Sequence, residues 1–277
     1  MPDKRHLLNS KQMAQFVAAG YLQFDELVPQ ELNEAANAEM SANAVPVHPH
    51  GTPFDEIWHD SALGKVFRLP ESRGIIHSLV GPNPLNDHHA VHTVRGGQQR
   101  GQHWHADSMV DTRLHFDIQF FYFPHDTPRE MGGTMILPGS HYRRISGLDI
   151  GKYQNFIGQL ALDCKAGTVV VVHHGIWHCA QPNRTDHIRY VFKLRLNPTV
   201  RQLRLWNTDD LDDPEIPNLL VTNRLWCGSE AQIELVNRIK FWRFLTGDDD
   251  FDLRYCLSRV ENEPSYRKPG CVSREYA

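Results

Sequence analysis

The densest chemistry in this chain lies in GQHWHADS, residues 101–108, which sets His103, His105 and Asp107 at alternate positions. Residues two apart in an extended segment point to the same side. His105 and Asp107 would therefore offer an imidazole nitrogen and a carboxylate oxygen to one ion, with Ala106 turned away. Two ligands hold a transition metal poorly, so a third must come from elsewhere. The best-placed candidate is His178 in HHGIWHCAQPN, directly after the apolar run GTVVVV. Two histidines and one carboxylate make a facial triad that leaves half of an octahedral iron(II) open. Zinc prefers a closed tetrahedron, or three protein ligands with one water, so the pattern points to redox-active iron. His103 shares the face of His105 and competes with it, as in cupins that use an HxH pair. Such cupins typically add a glutamate shortly downstream, and SMVDTRLHF has none. His103 is expected to line the cavity or support the ligands.

Groups this far apart in the chain need a rigid frame. Near the start, Ser10 is placed to cap a short helix carrying Met13, Phe16 and Val17 and ending before Gly20. Tyr21–Phe24 then reads as a strand, and Pro29 suits the first turn of a second helix through about residue 43. Residues 45–90 are rich in Pro, Gly, His and Asp, with a helix expected only near Ile75–Val80. From about Ala90 to Pro198 short β-like runs (AVHTV, HFDIQFFYF, GTMIL, GTVVVV, RYVFKLRL) alternate with turn-rich connections. This texture predicts an antiparallel sandwich or barrel rather than βα units. Beyond Pro198, Ser229 with Gln232 resembles a capping box ahead of Leu235, Val236, Ile239 and Trp242 at helical spacing, stopped by Gly247.

The chain has 277 residues, 29 basic against 33 acidic, for a formal charge of -4. No basic patch speaks for nucleic acid or a membrane surface. No run approaches the roughly 18–20 apolar residues of a membrane span, and MPDKRHLLNS lacks a signal-type apolar segment. Cys164, Cys179, Cys227, Cys256 and Cys271 form no CxxC pair, which predicts reduced thiols and a cytoplasmic protein. The 17 histidines, many between His88 and His187, are the unusual feature.

Taken together, HWHAD, MGGTMILPGSH, WHCAQPN and Arg189, eleven residues past His178, resemble the phytanoyl-CoA dioxygenase family over roughly residues 10–200. The resemblance implies a mainly β fold with flanking helices around a double-stranded β-helix (jelly-roll, cupin-like) core. It implies one domain over residues 1–200; residues 201–277 lie outside the resemblance and read, from their own pattern, as a helical extension packed on the same domain. It further implies Fe(II) held by His105, Asp107 and His178, 2-oxoglutarate and O2 as co-substrates, and Arg189 as the 2-oxoglutarate ligand. The chemistry agrees, because a guanidinium matches a carboxylate bidentately and keeps its charge when desolvated. Gln102, Arg95, Gln119 and Thr134 are candidates for the metal-proximal carboxylate of 2-oxoglutarate, and nothing in the sequence chooses among them. Arg184, in the turn before Arg189, reads as a rim residue. Asp107 excludes the halogenating relatives, which typically have Ala or Gly there. The expected reaction is hydroxylation of a C–H bond in a small organic metabolite, with 2-oxoglutarate converted to succinate and CO2. The alternatives are a metal-dependent cupin without 2-oxoglutarate, or a binding protein that retains the fold.

If Arg189 faces the cavity, alternation sends Val191, Lys193 and Arg195 inward and Tyr190, Phe192, Leu194 and Leu196 outward. Buried cations are costly unless an anion meets them, which suggests a substrate with an anionic group. Trp104 and Trp177 are expected to be core. Loops 45–70 and 108–116 are expected to shape substrate recognition.

Overall fold

The computed structural model describes residues 2–253 apart from 99, 109–113, 144–146 and 223–224. Cys256, Cys271 and most of the 108–116 loop therefore lie outside the described residues. The strands are β1 (Tyr21–Phe24), β2 (Thr52–Pro53), β3 (Leu85–Val94), β4 (Ile118–Phe123), β5 (Thr134–Leu137), β6 (Leu160–Ala161), β7 (Thr168–His173), β8 (Trp177–Ala180) and β9 (Arg189–Asn197). The helices are α1 (Ser10–Ala19), α2 (Gln30–Ser41), α3 (Ala62–Arg68), α4 (Pro70–Val80), α5 (Gly147–Ile150), α6 (Ile216–Leu220) and α7 (Gly228–Thr246). All strand pairings are antiparallel. One sheet has the order β1-β7-β4-β9-β3-β2 and the other β6-β5-β8. This is the jelly-roll core, with helices flanking it.

Both faces of the larger sheet are covered, which explains why β4 and β7 are apolar at nearly every position instead of alternating. Phe120, Tyr122, Val169, Val171, Phe192, Leu194 and Leu196 pack outward against Met13, Phe16, Val17, Ile76 and Leu79. Phe121, Phe123, Val170, Val172 and Val191 pack inward against Ile136, Leu162 and Ile176, closing the core between the sheets. The outward helix layer also takes in Leu235, Ile239 and Trp242 of α7. The extension thus shares one core with the residues before it.

Local caps depart from expectation at both ends. The α1 cap is Asn9, not Ser10: Asn9 accepts from the Gln12 N–H at 2.8 Å, and Gln12 accepts from the Asn9 N–H at 3.0 Å. Ser10 instead accepts a hydrogen bond from the Trp206 indole at 3.0 Å. Helix α7 begins at Gly228 without a side-chain cap, so Ser229 caps nothing. Pro29 stands just outside α2 as its N-cap, and β3 starts at Leu85, five residues earlier than the sequence texture suggests. Two helices, α3 and α4, occupy the stretch where only one was expected; α4 opens on Pro70, where the missing N–H costs nothing. Gly20 ends α1 at φ +77°, and a Cβ there would lie 2.4 Å from the His141 ring.

His141 is fully enclosed beneath α1, with Nε2 3.2 Å from the Val17 carbonyl and Nδ1 without a hydrogen-bond partner. Burial, and then the neighbouring His173, push its pKa well below the ordinary histidine value of 6.5. His89, half buried, is lowered to about 4 for the same first reason. The folded protein keeps both neutral, whereas the unfolded chain takes up protons below about pH 6.5. Their contribution is complete above that pH and is lost as pH falls toward 4. Urea denaturation of the metal-free protein should show stability dropping across this window. The slope should reach about 1.4 kcal/mol per pH unit for each histidine still neutral in the fold. A flat profile from pH 6.5 to 5 would contradict the burial of these rings.

Candidate metal centre

The segment Gly101–His105 runs along the free edge of β8. Gln102 N–H donates to the Ala180 carbonyl at 2.8 Å, and His105 and His178 exchange both backbone hydrogen bonds at 3.1 and 2.9 Å. Gly101 permits this approach, since a Cβ there would fall 2.5 Å from the Ala180 carbonyl oxygen. β8 is itself held by the PGSH turn, where the buried Ser140 hydroxyl accepts from the Trp177 N–H at 2.8 Å. The two ligand-bearing stretches are thus locked side by side before any ion is considered.

One ligand atom each from His105, Asp107 and His178 lies within 4.8 Å of the others. Each imidazole directs Nδ1 at a backbone carbonyl two residues back, His105 to His103 at 2.8 Å and His178 to Ile176 at 3.1 Å. A carbonyl can only accept, so Nδ1 carries the proton in the neutral ring and Nε2 keeps its lone pair for a metal. These Nε2 atoms stand 3.7 Å from Asp107 Oδ1 and 3.4 Å from Asp107 Oδ2. Burial alone would raise the Asp107 carboxyl, but His178 and Lys193 outweigh it and hold the group below the usual carboxylate range. Burial, then His178, lowers the pKa of His105. An ionised carboxylate with two imidazole Nε2 atoms directed at it is the donor set that a divalent metal takes.

The cavity beside this cluster lies between the sheets and is small, about 30 Å³. Its lining comes from β3 (His92), β4 (Phe121), β5 (Thr134), β8 (His178, Ala180) and β9 (Arg189, Val191, Lys193), with Gln102 and His105 at the edge. Arg189 is 1% exposed, and its Nε and Nη1 have no hydrogen-bond partner among the described residues. Burial lowers its pKa only to about 10, so it remains a cation. An unanswered buried guanidinium on a cavity wall asks for an anion from outside the chain. The turn before it is shaped by Asn183, whose side chain donates to the His187 carbonyl at 2.7 Å and accepts from the Thr185 hydroxyl at 2.8 Å. That turn returns the chain from β8 into β9, which brings Arg189 to the wall of the cavity that His178 also lines.

Among the candidates for the metal-proximal carboxylate, Gln102 and Thr134 line the cavity. Gln102 already accepts from the Ala180 N–H through Oε1 at 3.1 Å. Gln119 lies on the inner face of β4, wholly buried, with neither amide atom paired among the described residues. Arg95 does not join them: it follows the last residue of β3, at the Gly96–Gly97 turn, and is exposed. His103 is exposed too and reaches the site only through its carbonyl. Only His105 bridges to β8, so strand alternation does not extend back to His103. Trp104 and Trp177 are core and Arg184 is exposed, as expected. His92 was missed; it lines the cavity with Nε2 buried and unpartnered, and burial lowers its pKa to about 4. The cluster of histidines after His88 was the signal that could have found it.

β9 alternates as expected, but the anions for its cations come from the chain itself. Lys193 forms an ion pair with Asp107, and Arg195 with Asp87 at 2.6 Å. Asp87 reaches Arg195 because the β3–β9 register shifts between Asn86 and His88. The unpaired cations that suggested an anionic substrate are therefore both paired in this state. A larger cavity, about 550 Å³, lies between the N-terminal segment and α4. It is remote from the triad, and its Arg68 is spent on backbone carbonyls of Phe54, Ile57 and Gly64.

Solved structures with this fold include three with telling contents. HygX from Streptomyces hygroscopicus, with iron bound, superposes at a TM-score of 0.55 with 12% identity, covering 76% of this chain and 94% of that one. The epimerase SnoN, in complex with Fe3+, alpha-ketoglutarate and nogalamycin RO, gives 0.53 and 16%, covering 68% and 83%. EctD from S. alaskensis, with 2-oxoglutarate and 5-hydroxyectoine, gives 0.50 and 17%, covering 69% and 76%. At such identities the likeness concerns the fold. No curated protein matches the chain in sequence. The phytanoyl-CoA dioxygenase (PhyH) family model, however, matches residues 16–191, well over half of the chain. That stretch holds the whole constellation from His105 to Arg189, and the chain belongs to the phytanoyl-CoA dioxygenase family of Fe(II)- and 2-oxoglutarate-dependent, O2-using oxygenases.

Proposed function

We propose that this oxygenase hydroxylates a C–H bond of a small organic molecule. In this reading His105, Asp107 and His178 hold the iron and Arg189 binds the far carboxylate of 2-oxoglutarate. The observation that carries it is the pairing of a three-donor cluster within 4.8 Å with an unanswered buried guanidinium on the same cavity. Bound there, iron(II) with 2-oxoglutarate and O2 supplies the oxidising power for hydroxylation, with succinate and CO2 released.

The side chains around it have separate tasks. The carbonyls of His103 and Ile176 hold Nδ1 of each ring, so that Nε2 is the nitrogen turned toward the metal position. Arg189 would orient the co-substrate by a forked pair of donors, and Gln102 and Thr134, which line the same cavity, would be open to its other carboxylate. Phe121 and Val191 exclude water from the reacting centre. Residues 45–70, which include β2 and α3, are taken to shape the substrate mouth; most of 108–116 lies outside the described residues. No helix among the described residues is long and apolar enough to cross a membrane. The unpaired Cys164, Cys179 and Cys227 support a cytoplasmic location.

The test is anaerobic loading with iron(II) and 2-oxoglutarate, addition of a substrate library, exposure to O2, and detection of succinate and products. Succinate rising in step with a product heavier by one oxygen atom is the expected result. Succinate with a product of unchanged or lower oxygen content would replace hydroxylation by another oxidative outcome. Metal-dependent turnover without succinate would sink the reading in favour of a cupin reaction that does not use 2-oxoglutarate.

A further inference from the structure

Three formal cations line or adjoin the described cavity: Arg189, Lys193 and Arg195. Two carboxylates meet them directly, Asp107 on Lys193 and Asp87 on Arg195. Asp117 is turned to His174 at 3.5 Å and belongs to another pair. The nearby His88 and His92 rings are kept neutral, chiefly by burial. Among the described residues the unanswered cation is Arg189. Loading the site, on the oxygenase reading above, changes which group is left over. A divalent metal takes the charge of Asp107 and of one 2-oxoglutarate carboxylate, and Arg189 takes the other carboxylate. Arg195 keeps Asp87. Lys193 then remains, a cation whose side chain is 8% exposed, with no anion of its own among the described residues.

Strand geometry separates its task from that of Arg189. The two share the inner face of β9 four residues apart, about 13 Å along an extended strand. Lys193 pairs with Asp107 of the three-donor cluster, while Arg189 stands further along the same row and would meet the far carboxylate of the co-substrate. Beside Lys193 in the same cavity, His92 Nε2 is buried and unpartnered.

We propose that Lys193 is a specificity-determining residue that binds an anionic group of the substrate, a carboxylate or phosphate, once metal and 2-oxoglutarate are in place. The proposal rests on the oxygenase reading and adds the substrate class to it. Asp107 pairs with the same ammonium, so the substrate's anion would meet Lys193 where a bound metal draws off the carboxylate's charge.

The probe is butyrate against its neutral isostere butyramide, added to protein holding Mn2+ and saturating 2-oxoglutarate. Mn2+-induced relaxation of the probe's protons reads binding near the metal. Wild type should bind butyrate about tenfold more tightly than butyramide, the scale of one charge-assisted hydrogen bond. Lys193→Met should lose that preference and Lys193→Arg should keep it, with 2-oxoglutarate affinity unchanged in both. Equal binding of acid and amide by the wild type overturns the proposal, as does an unchanged preference in Lys193→Met. If Lys193→Met weakens 2-oxoglutarate as strongly as loss of Arg189 does, the lysine serves the co-substrate and the proposal fails. Failure of the wild type to bind Mn2+ at all would instead bring down the oxygenase reading, and this inference with it.

Discussion

Asp107→Ala will remove iron binding and lower 2-oxoglutarate turnover by more than about a hundredfold, since loss of an outer partner of a metal ligand alone typically costs 10–100-fold. The carboxylate is the only anionic donor in the cluster, and both imidazole Nε2 atoms converge on it at 3.4 and 3.7 Å. Without it, two neutral imidazoles face a divalent ion with Lys193 left unpaired beside them. Charge repulsion then adds to the missing ligand. Metal content after dialysis against iron(II) and succinate release under O2 both read the effect. A variant that retains stoichiometric iron would show that the carboxylate is not a ligand. Asp107→Asn is the informative companion: it keeps the shape and removes the charge, and is expected to be nearly as defective.

Arg189→Met will raise the KM for 2-oxoglutarate by about a hundredfold, equivalent to the ~2–3 kcal/mol of charge-assisted hydrogen bonding to a carboxylate. Its guanidinium is buried, and Nε and Nη1 have no partner among the described residues, so the side chain has nothing else to hold. Folding should survive the change, because an apolar side chain replaces an unanswered charge. Arg189→Lys should fall between the two, since an ammonium keeps the charge but not the planar fork. Iron binding should be untouched in both variants. Titration of 2-oxoglutarate into the iron-loaded protein under argon separates this from a metal defect. If iron affinity falls with the arginine, its role is in the metal site rather than on the co-substrate.

How much of this was legible beforehand differs from residue to residue. His105, Asp107 and His178 could be picked because a carboxylate and imidazoles at alternate or turn-proximal positions are what a metal needs. The inward and outward faces of β9 could be read because a fully paired central strand obeys its two-residue period. The same rule failed for His103, where only a single bridge at His105 supports the segment. Asp87 carried no reading at all: only a register shift in the folded sheet turns its side chain toward Arg195. β8 escaped because four residues with no alternation, WHCA, carry too little pattern to mark a strand. Arg95 looked plausible by charge and position, but the strand ends one residue too soon.

The two-sided character of β9 has a consequence for how substrate scope can diversify. Deleting one residue within it would swing Lys193 and Arg195 into the oily layer beneath the helices and push Phe192 and Leu194 toward the iron, wrecking fold and chemistry in one stroke. Length changes are thereby barred from the strand that bears the charges. Novelty in what this enzyme accepts has to come through single replacements on its inner row, or through the connecting segments at its rim.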